Sequence, residues 1–442
     1  IPADAPYRTH AEPVVCRFVA PFTHLVSNRL SVSYSKCDRG PEGSEKPHPA
    51  SRRLVVFSND PLYKYHEKGE VKRGYWNPCG LFDEVHVISL SDRGVAAEEV
   101  AELAGNGRLF VHSVGRPTAT DVLRLGNLRR LTTELIAQIE PNLIRAHNPS
   151  IHGWLAVRAA DSLKVPSVLS LHCDYDRWRT FRILGLAYAP RFARSLVELA
   201  LFEREVFRSA DLIISAYEFP LSYASRFRPR RTEVVYNKVY GEAYAAGATP
   251  RLDGPLRVLS VGRQFPGKDP APLIESLQHV SNVELTLIGQ GPYNQRCRSL
   301  ASRLGLEGRV HFLRSVENRE IHEHYLRAHT FAIAIRYPGI CIPVLEAMAA
   351  GLPVVVPQPW WEPEPELIGA DALVVDGTPQ GFAAAFRRLC DEPHLGARLG
   401  NSGRQRHRAV DGLVMEAREA ELLSELMGDQ SGPPPPTNGP MT

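Results

Sequence analysis

The chain has 442 residues, of which 43% are apolar and 23% charged. That is enough to bury one or two large cores, and it excludes a wholly disordered, collagen-like or disulfide-stapled chain. Lys and Arg number 52 against 49 Asp and Glu, a formal net charge of +3, so the basic stripe of a nucleic-acid reader is not expected.

Residues 1–50 are rich in Pro, Ser and charge and read as an extension of uncertain order. Strand-length apolar runs follow at Leu54–Ser58, Glu84–Ser89, Arg108–Ser113, Leu143–His147 and Ser167–His172, with helix-length segments such as His152–Leu163 between them. Alternating strands and helices predict parallel sheets built from right-handed crossovers. Ala187–Phe207 is apolar with Arg191 and Arg194. Burial against the core is its expected fate, with a peripheral membrane helix as the alternative. Asp211–Ser215 and Glu233–Tyr236 close the first series, and the only short basic cluster, Arg226, Arg228, Arg230 and Arg231, reads as a solvated loop.

Asp253-Gly254-Pro255 is a turn cluster that serves as a linker. A second series then runs through Arg257–Val261, Val283–Ile288, Arg309–Leu313, Thr330–Ile335, Leu352–Val356 and Ala372–Val375. The expectation is an α/β chain with an N-terminal Rossmann-like domain over 51–250 and a C-terminal one over 255–410. A helix over 411–430 is expected to pack back toward the N-terminal domain, and 431–442 is a loose Pro-rich tail. Open parallel sheets bind ligands beyond the carboxyl ends of their strands, which places a ligand in the cleft between two such domains.

Seven cysteines at long spacings, with no Cys-x-x-Cys, predict reduced thiols in a cytoplasm rather than a zinc site or a disulfide framework. No run of 18 uncharged apolar residues is present, so no span of a bilayer is expected. The first residues lack a signal-peptide pattern. Eight Lys against 44 Arg hint at a GC-rich bacterial genome.

Two local patterns carry chemistry. Gly262-Arg263-Gln264-Phe265-Pro266-Gly267-Lys268-Asp269 follows a strand and spells Gly, four residues, Gly-Lys. A triphosphatase loop needs Ser or Thr next for magnesium, and Asp269 stands there instead. Arg263 and Lys268 fit either a diphosphate clamp at a strand's carboxyl end or an ordinary solvated loop. The second pattern, Gly339-Ile340-Cys341-Ile342-Pro343-Val344-Leu345-Glu346, opens a short Ala-rich helix closed by Gly351. Its N–H groups and dipole make an anion site. Glu346, taken as a first-turn residue, is either a favourable dipole partner or an acceptor for a sugar or ribose hydroxyl.

With these residues in place, the second half resembles the donor domain of retaining GT-B glycosyltransferases, specifically glycosyltransferase family 4. The matching stretches are Val258–Pro270, Leu287-Ile288-Gly289-Gln290-Gly291-Pro292, Leu304-Gly305-Leu306, Val310-His311-Phe312, Ile342–Pro353, Glu366–Asp376 and Arg398-Leu399-Gly400. The resemblance implies two Rossmann-like domains facing a central cleft. Its donor residues would be Gly262, Arg263 and Lys268 for the diphosphate, Glu346 for the ribose, Arg314 and Val316 by the base, and Gly339, Ile340, Cys341 and Ile342 at the sugar. One departure stands out: the family's first Glu, eight residues before Glu346, is Pro338 here, and its Phe-Gly is Ile340-Cys341. An unusual donor sugar and a degenerate site both fit that change.

The N-terminal half is similar more loosely. His172, after Leu169-Ser170-Leu171, matches a His that lies beside the transferred sugar in the family, so Arg263, Lys268 and His172 are the catalytic candidates. Lys72, Arg73, His147, Asn148 and Asp174 are candidates for the acceptor. Asp174-Tyr175-Asp176 reads as no metal motif, and His322-Glu323-His324, lacking the zinc spacing, reads as exposed helix. No metal or other cofactor is called for beyond a nucleotide-diphosphate sugar, UDP- or GDP-linked, as co-substrate. The function expected is retaining transfer to a small-molecule acceptor, with natural-product or low-molecular-weight thiol assembly as the setting. A nucleotide-sugar isomerase or hydrolase, or a degenerate scaffold that binds a partner, remain open alternatives.

Overall fold

The computed structural model describes Ser33–Lys36 and most of residues 51–428. Residues 1–32, 37–50, 116–124, 248–253, 359–365 and 429–442, with 59, 68, 70, 92, 318–319, 337–339 and 368, lie outside the described residues. The expectations for Asp253, Pro338, Gly339, most of the N-terminal extension and the Pro-rich tail fall there.

The first eight strands are β1 Ser33–Lys36, β2 Arg53–Phe57, β3 Glu84–Ser89, β4 Arg108–Ser113, β5 Leu143–Ala146, β6 Ser167–Leu171, β7 Leu212–Ser215 and β8 Thr232–Val234. They form one sheet in the order β1-β4-β3-β2-β5-β6-β7-β8. Val/Ile/Leu-rich cores such as Leu54-Val55-Val56-Phe57, none more than 0% exposed, are what a sheet covered on both faces demands. The sheet is not wholly parallel: β1, inside the N-terminal extension, pairs antiparallel with β4, Ser33 opposite Ser113.

Six strands make the second sheet: β9 Leu256–Val261, β10 Val283–Ile288, β11 Val310–Leu313, β12 Thr330–Ala332, β13 Val354–Pro357 and β14 Leu373–Val375. All its pairs are parallel, in the order β11-β10-β9-β12-β13-β14. The chain therefore reverses its winding between β2 and β5 in one sheet and between β9 and β12 in the other, and such switch points open the crevices where ligands bind. β12 stops three residues earlier than its apolar run suggests, because Ile335 leaves the sheet to pair with Lys268.

The two sheets share a core. One apolar cluster runs from Leu54, Trp76 and Val87 through Tyr217 and Tyr244 to Tyr325, Val344 and Met348. The helix Gly412–Leu426 lies against the N-terminal sheet's domain, with Glu416 accepting the Cys79 N–H at 2.9 Å and the Tyr240 hydroxyl at 3.0 Å. Arg231 binds Glu425 on that helix at 3.0 Å, and Arg226 and Arg230 hold Asp176 and Asp211, so the basic cluster is tied down rather than freely solvated.

Ala187–Phe207 packs on the core through Phe202, Val206 and Phe207, while Leu196, Val197 and Leu201 on it are 42%, 56% and 44% exposed. One expectation is corrected. His322 and His324 are half-buried, with the His322 ring set edge-on to Tyr244 at 6.5 Å.

Candidate active site

At the end of β9 the chain turns through Gly262, Arg263 and Gln264, which line a pocket with Lys268, Ile333 and Ala334. This is the switch point between β9 and β12. Phe265 and Lys268 exchange backbone hydrogen bonds of 3.2 and 2.8 Å around Pro266-Gly267, so the turn is closed on itself and offers side-chain cations rather than an N–H cradle. Asp269 has a local use: it accepts the Ala271 N–H at 3.0 Å and pairs with Arg296 at 3.3 Å, capping the helix Ala271–Ser276. That explains an acid where a magnesium-binding hydroxyl is missing.

The neighbouring loop is packed against this one at backbone distance. A Cβ on Gly289 would stand 2.2 Å from the Gly262 carbonyl oxygen, and one on Gly291 would stand 2.1 Å from that of Gln264. Gln264 donates its N–H to the Gln290 carbonyl at 2.9 Å. The Gly-Gln-Gly therefore serves close approach of two loops, not a dinucleotide. Arg314, after β11, reaches Gln290 at 3.4 Å, and Val316 packs on the core.

The helix Ile342–Ala350 begins at the same edge, with Pro343 in its first turn and Gly351 in the left-handed region at φ 75°. Glu346 is its fifth residue, so the first-turn dipole reading is withdrawn. Its carboxylate accepts the Tyr325 hydroxyl at 2.7 Å. Burial pushes Glu346 above the usual carboxylate range, against the pull of that hydrogen bond and of Lys72 from the other domain. Ile340 and Cys341 are buried, at 2% and 8% exposure, and Ile342 is half-buried. Burial raises the Cys341 thiol, with Lys268 opposing.

Across the cleft, His147 follows β5 and His172 follows β6. Their Nδ1 and Nε2 atoms are 3.0 Å apart and the rings stack at 5.2 Å. Tyr75 stacks on the other face of His147 at 6.1 Å. Burial, reinforced by Arg145, lowers His172 to about 4 and His147 well below its usual value. Both imidazoles are neutral at physiological pH.

Beneath them lies a buried ionic knot. Arg145 on β5 donates to Ser170 on β6 at 2.8 Å and pairs with Glu419 at 2.5 Å, and Lys238 meets Glu419 at 2.7 Å. Burial works to raise Glu419, but the two cations override it and hold the carboxyl at about 2. Tyr217, after β7, ties the halves together. Burial raises its phenol, Cys341 and Tyr75 add to that, and Asn237 donates to it at 2.6 Å.

Lys72 is exposed and acts on Glu346, whereas Arg73 is spent on Asn106 at 2.9 Å. Asn148 accepts the Ser150 N–H at 3.0 Å ahead of the helix Ile151–Leu163. Asp174 accepts the Asp176 N–H at 2.9 Å and pairs with Arg179 at 3.3 Å, so its carboxylate serves the turn. The acceptor candidates thus divide, with His147 and Lys72 at the cleft and Arg73, Asn148 and Asp174 in local structure. Arg145, Tyr217, Lys238, Tyr325 and Glu419 were not signalled by any motif. The one available hint was Arg145, a cation inside an apolar run.

A cavity of about 450 Å³ opens beside Asp269 and the ends of β12 and β13, a size that suits a small ligand. Arg182 and Ile183 line it from the N-terminal side, and Asp269, Ala334, Arg336, Gln358 and Asp376 from the other. Glu366, from the C-terminal domain, accepts the Glu218 N–H at 2.6 Å across the same divide.

Comparison with known proteins agrees in both halves. The glycosyl transferases group 1 model matches residues 247–406, and the glycosyl transferase 4-like domain model matches residues 79–238. Among curated relatives, the GDP-mannose-dependent alpha-(1-6)-phosphatidylinositol monomannoside mannosyltransferase of Mycolicibacterium smegmatis is 33% identical over 39% of this chain and 47% of its own length. The sulfoquinovosyl transferase SQD2 of Arabidopsis thaliana is 24% identical over 71% of this chain and 60% of its own. The chain spans about half the length of the first curated relatives it matches. HepE of Anabaena, solved with UDP, superposes with a TM-score of 0.63 at 19% identity, covering 84% of this chain and all of that one. The sucrose-phosphate synthase of Thermosynechococcus elongatus gives 0.63 at 16% identity, over 85% and 100%. At those identities the likeness is one of fold, the two facing Rossmann-like domains of GT-B glycosyltransferases.

Proposed function

The chain belongs to glycosyltransferase family 4, and from that premise we propose that it moves a hexose from a UDP- or GDP-linked donor to a hydroxyl-bearing small acceptor with retention. The carrying observation is that Arg263 and Lys268 line the pocket at the β9–β12 switch point; the buried Glu346 held by Tyr325 and the neutral His172 after β6 support the same reading. Lys268 and Arg263 take up the charge that develops on the leaving diphosphate, a preorganised electrostatic role. Glu346, held by Tyr325, accepts a ribose hydroxyl. His172, fixed against His147, orients the sugar rather than serving as a base.

In this reading the acceptor oxygen attacks the anomeric carbon on the face the diphosphate leaves. The carbon–phosphate-oxygen bond breaks, the new glycosidic bond forms, and a departing phosphate oxygen takes the acceptor's proton. No electrophile beyond the side-chain cations is needed for that balance. The relatives' names include mannosyl and sulfoquinovosyl transfer and a D-inositol 3-phosphate glycosyltransferase, which supports a polyol or glycolipid-type hydroxyl as the acceptor and leaves the donor base to experiment.

The test is turnover with UDP- and GDP-hexoses and a panel of polyol acceptors, followed by anomeric assignment of the product. Acceptor-dependent release of one nucleoside diphosphate with an α-linked product is expected from an α-linked donor. A β-linked product overturns retention. Release without transfer to any acceptor points to hydrolysis instead.

A further inference from the structure

The hairpin of helices that follows His172 buries an ion pair and exposes large apolar side chains. Its polar groups face the protein: Arg177, 7% exposed, donates to the Ser195 carbonyl at 2.7 Å and to the Tyr223 hydroxyl at 2.6 Å, and it pairs with Glu203, 3% exposed. Ile183, Phe202, Val206 and Phe207 are buried with it, but a second set of large apolar groups faces outward. Trp178, Leu186, Leu196, Val197 and Leu201 are 69%, 83%, 42%, 56% and 44% exposed. They are five of the ten exposed large apolar side chains among the described residues, gathered within 24 positions. A soluble surface does not ordinarily concentrate such groups without a use.

Charge says what covers them. Residues 177–209 contain seven Arg and three Glu, with no Lys or Asp. Arg177 and Glu203 cancel in the buried pair and Arg179 is paired with Asp174, which leaves Arg182, Arg204 and Arg208 exposed. Arg226, its side chain 56% exposed, binds Asp176 at the start of the first helix and adds a further cation there. An apolar face rimmed by arginine would repel a second copy of itself across a two-fold axis. It complements an anionic bilayer, into whose interface aromatic and aliphatic side chains insert while arginine stays at the headgroups.

We infer that this hairpin docks the protein on an anionic membrane surface, with Trp178, Leu186, Leu196, Val197 and Leu201 entering the interface. Because Arg182 and Ile183 of the same hairpin line the 450 Å³ cavity, docking sets the mouth of the cleft at the bilayer. The inference does not rest on the transferase reading, since binding is measured without donor or acceptor.

The experiment is flotation of the full chain with vesicles of phosphatidylcholine alone or with phosphatidylglycerol added, at low and high salt. Wild type is expected to float with the anionic vesicles, at least about tenfold more than with neutral ones, and to lose much of that binding at high salt. The Leu186→Glu/Val197→Glu double variant should lose binding roughly tenfold or more, with an unchanged thermal midpoint. Leu413→Glu/Val414→Glu, altering exposed apolar groups elsewhere, should bind like wild type. Wild type remaining with the soluble fraction in both vesicle types overturns the inference. So does equal binding by the Leu186→Glu/Val197→Glu variant, or a wild-type dimer that this variant dissociates.

Discussion

At the scale of single residues, the backbone of Lys268 serves the fold while its side chain is the one proposed for the chemistry. Its backbone closes the Phe265–Lys268 turn and bridges to Ile335, while its ammonium is left to the pocket. Lys268→Ala therefore keeps the turn and removes the charge. The expected outcome is a loss of about 3 kcal/mol in transition-state stabilisation, on the order of a hundredfold in kcat, with an unchanged thermal midpoint in the absence of nucleotide. Steady-state kinetics beside an apo melting curve checks both halves. The Gly-x4-Gly-Lys spacing was readable from sequence. The reason for Asp269 was not, because its partners Ala271 and Arg296 are set by the turn and the packing of two helices.

His172 carries a pH prediction. Its imidazole titrates near 6.5 when free and at about 4 in the fold. Between those values the unfolded chain binds more protons than the native one, so stability rises with pH across the window and is lost as pH falls from 6.5 toward 4. The contribution is roughly 2 kcal/mol once partial exposure is discounted. His172→Gln should flatten the acid limb of a denaturation series. Wild-type transfer should show no limb near 6.5 from this group, because it stays neutral there. The candidate His172 was legible from the strand before it, but its stacking on His147 was not, since two strands must first be paired parallel to bring them together.

Among elements, the loop pair after β9 and β10 and the last helix are the two devices that hold the cleft. Gly291→Ala would drive a methyl to within 2.1 Å of the Gln264 carbonyl oxygen, displacing the Arg263 loop. The expected result is nucleotide affinity reduced at least about tenfold and roughly 1–3 kcal/mol of lost stability, read by calorimetry and urea unfolding. The helix Gly412–Leu426 is pinned by Glu419 between Arg145 and Lys238. Glu419→Gln leaves two buried cations uncompensated and should cost about 3–5 kcal/mol, whereas the triple variant Arg145→Met, Lys238→Met and Glu419→Leu, which removes all three charges, should recover most of it. Limited proteolysis after residue 411 and denaturation midpoints distinguish the two. The strands themselves were legible because two-sided burial writes continuous apolar runs. Strand β1 and the Glu419 knot were not, because an edge strand of Ser-Tyr-Ser-Lys has no apolar run and an ion pair spanning most of the chain leaves no local spacing.

In the whole molecule, the Arg263 and Lys268 cations stand at the switch point of one sheet and the neutral imidazoles of His147 and His172 follow β5 and β6 of the other. The central claim is that the cleft binds a nucleoside diphosphate through Arg263 and Lys268. A thermal-shift panel of UDP, GDP, ADP and TDP on wild type and Lys268→Ala tests it most directly. A ligand at 100 times its dissociation constant adds about 2.7 kcal/mol of stability, so one diphosphate should raise the wild-type midpoint by several degrees and leave Lys268→Ala nearly unmoved. Equal shifts in both proteins, or no shift with any diphosphate, would contradict the account.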